Sequence, residues 1–357
     1  MDAALQATVN DIWDDEQLKA RFRKALRFSG SVRSSEYHLT NACNLRCKGC
    51  WYFEFGFDQI EMSSSRAEQD RAMDDLIERE LARGINTVLL IGGEPTLYPK
   101  RVARFVEKFD NVTISTNGMK ALPVEGFENV TIGISIFGGL QADAELRGIT
   151  PSGRLITDTI ERAFDNYAHD DRAGFIYAVS DRHVDQVRPF VAYAAERGKR
   201  LHFNYYRDYS NPQPTQSELE LLDVLLEARS AFPDTVASHP YFIHTMITGK
   251  SHWGAFGFDE CPSVSVDFPG NAGRLAGKAP NLPLFNTVAA DFKTVERCCT
   301  SGQCETCRDS QAMMSWLMVN LNHFRKNGLL QVWVEIVESF WSQFTWSPYH
   351  PARAAFV

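Results

Sequence analysis

The 357-residue chain has no stretch approaching the length of a membrane-crossing helix. Its first residues, Met1-Asp-Ala-Ala-Leu-Gln, have neither the basic start nor the apolar core of a signal peptide. Both absences predict no membrane partner and a cytoplasmic location. A basic excess is missing too: 37 Lys and Arg face 45 Asp and Glu, a net charge of −8. Binding a phosphate backbone draws on a basic surface, so no nucleic-acid partner is expected. There is no internal repeat. Cysteine is sparse, eight in all, and gathered in two groups, which in a cytosolic-looking chain points to metal ligation before disulfides. The hydrophobic share of 44% and charged share of 23% are those of an ordinary soluble protein. The length suits one barrel with an appendage better than several small modules.

The first cysteine group is Cys43, Cys47 and Cys50, in Leu39-Thr-Asn-Ala-Cys-Asn-Leu-Arg-Cys-Lys-Gly-Cys-Trp51. Three thiols spaced C-x3-C-x2-C can converge on one inorganic centre but supply only three ligands. A structural zinc takes four protein ligands, commonly as paired C-x2-C hooks or with histidines. On a four-iron cluster, three thiolates leave one iron open to a substrate.

Three further motifs follow in order. Thr87-Val-Leu-Leu-Ile-Gly-Gly-Glu-Pro-Thr-Leu97 is an apolar strand that breaks into Gly92-Gly93-Glu94-Pro95. The glycines allow close backbone approach to a ligand, and the proline ends the strand. Val112–Gly118 is a second strand, ending in Ser115, Thr116 and Asn117. Val130–Ile136 is another, with Ser135 at its polar end, and it precedes Asp143-Ala-Glu-Leu-Arg-Gly148. Taken one by one, these are also what a tight turn, a cap or a surface arginine looks like.

Together, over residues 35 to 210, these motifs resemble the radical S-adenosylmethionine (SAM) superfamily. The resemblance implies a [4Fe-4S] cluster on Cys43, Cys47 and Cys50. It implies that Gly92, Gly93, Glu94 and Pro95 bind the SAM amino group, that Ser115, Thr116 and Asn117 contact the ribose, that Ser135 is the strand-four serine of the cofactor site, and that Arg147 after it pairs with the SAM carboxylate. The residue before the third cysteine is commonly aromatic in that family. Here it is Gly49, and Trp51 and Tyr52 are the aromatics placed to cover the adenine.

Apolar strands alternate with helical patterns from Ser35 onward, which predicts parallel strands joined by right-handed crossovers. Six strands suit the superfamily's partial (βα)6 TIM-like barrel, an α/β fold with its site at the strands' carboxyl ends. The expected organisation is an N-terminal helical segment (1–34), the barrel (35–235) and a C-terminal, loop-rich, cysteine-containing extension with terminal helices (236–357). Helices are predicted near Asp15–Arg27, Arg66–Arg83, Arg101–Phe109, Leu155–Tyr167, Val184–Arg197, Ser217–Ala231, Asp309–Lys326 and Leu329–Phe344. The last carries an apolar stripe from Leu330 to Phe344 that reads as core or as a lid.

The second cysteine group is Cys261, Cys298, Cys299, Cys304 and Cys307, with Cys304-Glu-Thr-Cys307 as a C-x2-C hook. It resembles the superfamily's one-cluster (twitch) extension, or less closely the two-cluster SPASM type. The implication is a second, auxiliary [4Fe-4S] cluster, with Cys298 and Cys299 competing for one place. Structural zinc and free buried thiols stay open as alternatives.

Tyr177, Asn204 and Tyr206 on the last two strands are candidate partners for a substrate radical, with Tyr205 and Asp208 nearby. Packing positions are the alternative for all of them, and His202 reads as a packed strand histidine. The resemblance implies reductive SAM cleavage to a 5′-deoxyadenosyl radical and hydrogen-atom abstraction from a substrate, with an external electron donor such as flavodoxin or ferredoxin. Only about 35 residues precede the first strand, too few for a peptide-binding wing, which favours a small polar substrate of sugar, aminoglycoside or nucleoside type. A peptide maturase is the alternative enzyme. A non-catalytic iron-sulfur electron-transfer protein is the alternative of another class.

Overall fold

The computed structural model describes residues 15–205, 213–249, 264–276, 284–297, 308–326 and 328–344. Helix α1 (Glu16–Ser31) opens the chain, its first turn capped by the Asp15 carboxylate, which accepts from the backbone of Gln17 and Leu18. Strand β1 (Ser34–His38) follows, then a short α2 (Trp51–Glu54), α3 (Arg66–Ala82), β2 (Thr87–Ile91) and α4 (Pro99–Val106). Next come β3 (Asn111–Thr116), β4 (Thr131–Phe137), α5 (Ala142–Arg147), α6 (Thr159–Asn166), β5 (Ala173–Val179), α7 (Val184–Glu196) and β6 (Leu201–Tyr205). Beyond the six strands lie α8 (Gln216–Ala231), α9 (Pro240–Thr248), α10 (Ala272–Leu275), β7 (Thr287–Val288), β8 (Val295–Glu296), α11 (Ser310–Val319), α12 (Leu321–Lys326) and α13 (Leu330–Phe344).

The sheet order is β6-β5-β4-β3-β2-β1-β7-β8, with β1 to β6 all parallel, as the alternating pattern predicts. This is an open, partial TIM-like sheet and not a closed barrel. The β7–β8 hairpin extends it beyond β1, pairing Glu36 with Thr287. That pairing carries the sheet past the boundary expected near residue 235, and two-residue strands leave no periodicity to announce them. Residues on both sides of that point also share one hydrophobic core.

Partners in parallel register point to the same face, which separates the sheet into two surfaces. Tyr37, Leu90, Ile114, Ile132, Ile134, Phe175, Tyr177, Leu201 and Phe203 form the helix-covered face and are buried. Phe175 stacks on Phe164 of α6 at 4.1 Å between ring centroids, and Tyr177 meets Phe190 of α7 at 4.5 Å. The opposite, inner face carries Glu36, His38, Leu89, Thr113, Ser115, Thr131, Ser135, Ile176, His202 and Asn204.

The start of α11 lies between the two outer strands of the six. Ser310 Oγ accepts from Tyr205 N of β6 at 2.7 Å, while the Gln311 side chain bonds Glu36 of β1. The single helix expected over 309–326 is two, because Asn320 leaves the helical conformation between α11 and α12. Helix α13 belongs to the core: Trp333 packs on Phe22 of α1, Trp341 on Phe28, and Glu338 pairs with Arg21 at 2.6 Å. No described helix is long and apolar enough to cross a membrane.

Candidate functional site

Cys43, Cys47 and Cys50 sit on the loop from β1 to α2, free and half-buried. Burial pushes the Cys43 thiol up to about 12 and raises those of Cys47 and Cys50, with each neighbouring sulfur adding to the effect on Cys47. Such thiols stay protonated until a metal displaces the proton. Among the described residues no three His, Cys, Asp or Glu side chains close on a point tightly enough for a single ion. Three free thiols on one loop, with the sulfurs of Cys43 and Cys50 close enough to raise the pKa of Cys47, fit a group that takes three thiolates.

The loop is held from two sides. Gly93 N donates to Thr40 O at 2.7 Å and Glu94 N to Ala42 O at 2.8 Å. A Cβ on Gly92, whose φ is +117°, would lie 2.8 Å from Thr40 O, and one on Gly93 would lie 2.1 Å from Ala42 O. The close approach that these glycines permit is therefore to the entry of the cysteine loop itself. On the other side, Arg46 N donates to Ile149 O at 2.5 Å and Lys48 N to Leu146 O at 2.7 Å, while Cys47 Sγ lies 3.6 Å from Arg147 O. Gly49 has φ +70°, a left-handed conformation that explains a glycine where an aromatic residue was looked for.

Glu94 and Arg147 both have partners within the chain. The Glu94 carboxylate is 1% exposed and accepts from Thr96 N (3.0 Å), Thr96 Oγ1 (2.6 Å), Thr116 Oγ1 (2.7 Å) and Asn117 N (2.8 Å). Burial raises its pKa and these donors oppose the rise. With its acceptor sites filled, it ties the end of β2 to the end of β3. Pro95 starts the short turn that aims Thr96 back at it. Arg147 is likewise fully buried, and its Nε and Nη2 pair with Asp143 at 2.9 and 2.8 Å, while Nη1 donates to Asn117 O. Asp143 in turn accepts from Phe137 N at 2.8 Å and Thr159 Oγ1 at 2.6 Å. Both charged groups are buried among protein partners.

Thr116 and Asn117 belong to this same network, and Asn117 Nδ2 also donates to Asn44 Oδ1 at 2.7 Å beside Cys43. Ser115 and Ser135 instead lie on the inner face. Of the two loop aromatics, Trp51 is 37% exposed, whereas Tyr52 is buried with its hydroxyl donated to Asn41 Oδ1 at 2.6 Å. Trp51 alone keeps an open ring.

Tyr177 is the clearest correction. It lies on the helix-covered face, fully buried, its hydroxyl donated to Gly138 O at 3.2 Å. Tyr205 faces the same way and bonds Glu218 of α8. Strand alternation puts both opposite to Asn204, which is on the inner face with His202. Tyr206, Asp208, Cys261, Cys298, Cys299, Cys304 and Cys307 lie outside the described residues.

Sequence reading missed Glu36 and His38. Both point to the inner face from β1, and the signal was present as two polar residues alternating with Tyr37 in a buried strand. His38 is 0% exposed, with its ring edge-on to Tyr52 and Phe57 at 5.0 and 5.2 Å and burial lowering its pKa to about 3.

Residues 37–167 match the family model of the Radical SAM superfamily. Two curated proteins named GTP 3′,8-cyclase, from Xanthomonas campestris pv. campestris strains B100 and 8004, are each 24% identical over 292 residues, covering 75% of this chain and 83% of theirs. Among solved structures, native anSMEcpe with bound AdoMet aligns at TM-score 0.48 and 16% identity over 74% of each chain. The same protein with AdoMet and the Cp18Cys peptide aligns at 0.48 and 17%, over 75% of this chain and 74% of that one. The radical SAM match is thus to residues 37–167, and the curated relatives, at 24% identity, carry the name of an enzyme.

Proposed function

We propose that Cys43, Cys47 and Cys50 hold the [4Fe-4S] cluster, that SAM binds over the carboxyl ends of β2 to β4, and that the enzyme abstracts a hydrogen atom from a small polar substrate on the inner face. The observation that carries this is the doubly anchored loop, which presents three reduced thiols beside those strand ends. Reduced cluster and SAM together supply homolytic carbon–sulfur cleavage, the hard step that a cofactor brings to an enzyme. What this chain supplies is orientation. Glu94 and Arg147 act from beneath the site: Glu94 fixes the turn at Gly92-Gly93, and Arg147 fixes Asn117 and the main chain that meets Cys47. Trp51 is the aromatic ring left to cover the adenine. Ser115, Ser135 and Asn204 are the polar side chains offered to SAM and substrate.

The C-terminal cysteines are assigned to an auxiliary [4Fe-4S] cluster, with Cys261, Cys304, Cys307 and either Cys298 or Cys299 as ligands. The C-x2-C hook in a segment with little apolar periodicity supports this. The substrate class is a sugar, aminoglycoside or nucleoside, and the relatives named GTP 3′,8-cyclase keep a nucleotide within that range.

The test is anaerobic turnover with dithionite and SAM. The wild type should form 5′-deoxyadenosine and methionine, and replacing Cys43, Cys47 and Cys50 together by alanine should abolish both. Wild-type rates in the triple variant would end this reading.

A further inference from the structure

The inner face of β1 carries two buried ionisable side chains, Glu36 and His38. They are two residues apart on one face, which sets their Cα atoms about 7 Å apart. Glu36 is 8% exposed and among the described residues has only neutral partners: the Thr287 hydroxyl at 3.4 Å and the Gln311 side chain. No lysine, arginine or histidine forms an ion pair with it among the described residues, and the nearby Asp309 adds further negative potential. His38 is fully buried, and among the described residues neither of its ring nitrogens has a hydrogen-bond partner.

A buried polar side chain is nearly always bonded. The imidazole, without a hydrogen-bond partner among the described residues, and the carboxylate, bonded there only by neutral groups, share the inner face of β1, and a ligand with donors would complete both. Its chemistry follows from the pair. A carboxylate takes a donor, most strongly a charged one, and an imidazole nitrogen adds an acceptor that does not repel a cation. An ammonium has three donors and no acceptor, matching both groups with one donor to spare for the Thr287 hydroxyl or the Gln311 carbonyl. The strand residues of the inner face include no lysine or arginine, so a polyphosphate placed there would meet Glu36 without a compensating charge.

We propose that Glu36 and His38 anchor an amino group of the substrate, as its ammonium, against the inner face of β1. This rests on the reading of that face as the substrate site, and it narrows the class to an amine such as an amino sugar, away from a nucleoside triphosphate.

The experiment is equilibrium binding by calorimetry to the anaerobically reconstituted protein without reductant, so that no turnover is needed. The probes are glucosamine, glucose and GTP. Glucosamine should bind at least about tenfold more tightly than glucose and more tightly than GTP, the size expected of one charge-assisted contact. Glu36→Gln and His38→Phe should each lower glucosamine affinity about tenfold or more and leave that for glucose within about twofold. Equal binding of the two sugars by the wild type, no binding of glucosamine, or tightest binding of GTP would each overturn the proposal, whether or not a variant folds. The 5′-deoxyadenosine assay reads the SAM chemistry separately, so the two failures remain distinguishable.

Discussion

Two populations of buried charge divide this molecule. On the helix side and along the rim, four ion pairs are made, Arg147 with Asp143 at 2.8 Å, Arg172 with Asp170 at 2.6 Å, Arg308 with Glu218 at 3.0 Å and Glu80 with Arg83 at 2.8 Å, while the Glu94 carboxylate is met by four neutral donors. On the inner face of β1, Glu36 and His38 are buried without an ionic partner. Removing a charge from water is costly unless a partner compensates, so a fold tolerates the second kind only where something other than stability is at stake. The matched groups hold strands and loops in place, and we assign the pair on β1 to the substrate.

The largest effect that this contrast predicts is at the rim. Arg147→Ala would leave Asp143 buried and uncompensated and would free Asn117 O, at a cost of about 3–5 kcal/mol. Urea unfolding of the metal-free protein measures it. The double variant Asp143→Leu/Arg147→Met should cost less than the single one, since no buried charge is left unpaired. A single substitution costing under about 1 kcal/mol would mean that the pair does not brace the site.

The strand order, the parallel pairing and the loop of Cys43, Cys47 and Cys50 were legible because each rests on local pattern: alternation, apolar runs and fixed spacing. Ends of helices shifted by a few residues, as with Arg101–Phe109 found at Pro99–Val106, where a proline at the first position sets the start. The ties that Glu94 and Arg147 make to the end of β3 were not legible, because Thr116 and Asn117 lie 22 to 30 residues away and no spacing encodes that, whereas the nearer partners Thr96 and Asp143 follow local spacing. Tyr177 was misplaced for a simpler reason. In a strand buried on both sides, hydrophobic alternation vanishes, and only the register with Ile136 and Phe203 shows which way it points.

A smaller effect separates the two populations by pH. Burial lifts the Glu36 carboxyl to about 7, against an ordinary 4.5, with Asp309 adding to the rise and the Gln311 and Thr287 side chains opposing it. Below about pH 4.5 the group is protonated in both folded and unfolded chains. As pH rises to about 7 the unfolded chain ionises first, so stability is lost across that window, by at most about 3 kcal/mol. Glu36→Gln should remove that loss. Comparing the urea midpoints of variant and wild type at pH 5 and pH 7.5 isolates it, because carboxylates common to both proteins cancel. An identical pH slope in the two proteins would show that Glu36 ionises freely and faces water.

The smallest effect probes whether the inner face is polar for stability or for binding. Thr113, on β3, points to that face with its hydroxyl buried and without a hydrogen-bond partner. A hydroxyl desolvated without compensation weakens the fold, and valine has nearly the same shape without that polar atom. Thr113→Val should therefore be neutral or should raise stability by up to about 1 kcal/mol in the metal-free protein, whereas at a matched position such as Thr116, bonded to Glu94 at 2.7 Å, the same change should cost about 1–3 kcal/mol. Equal losses at both positions would erase the distinction between the two faces. A gain at Thr113 alongside a loss at Thr116 would locate the polarity of the inner face in what it binds.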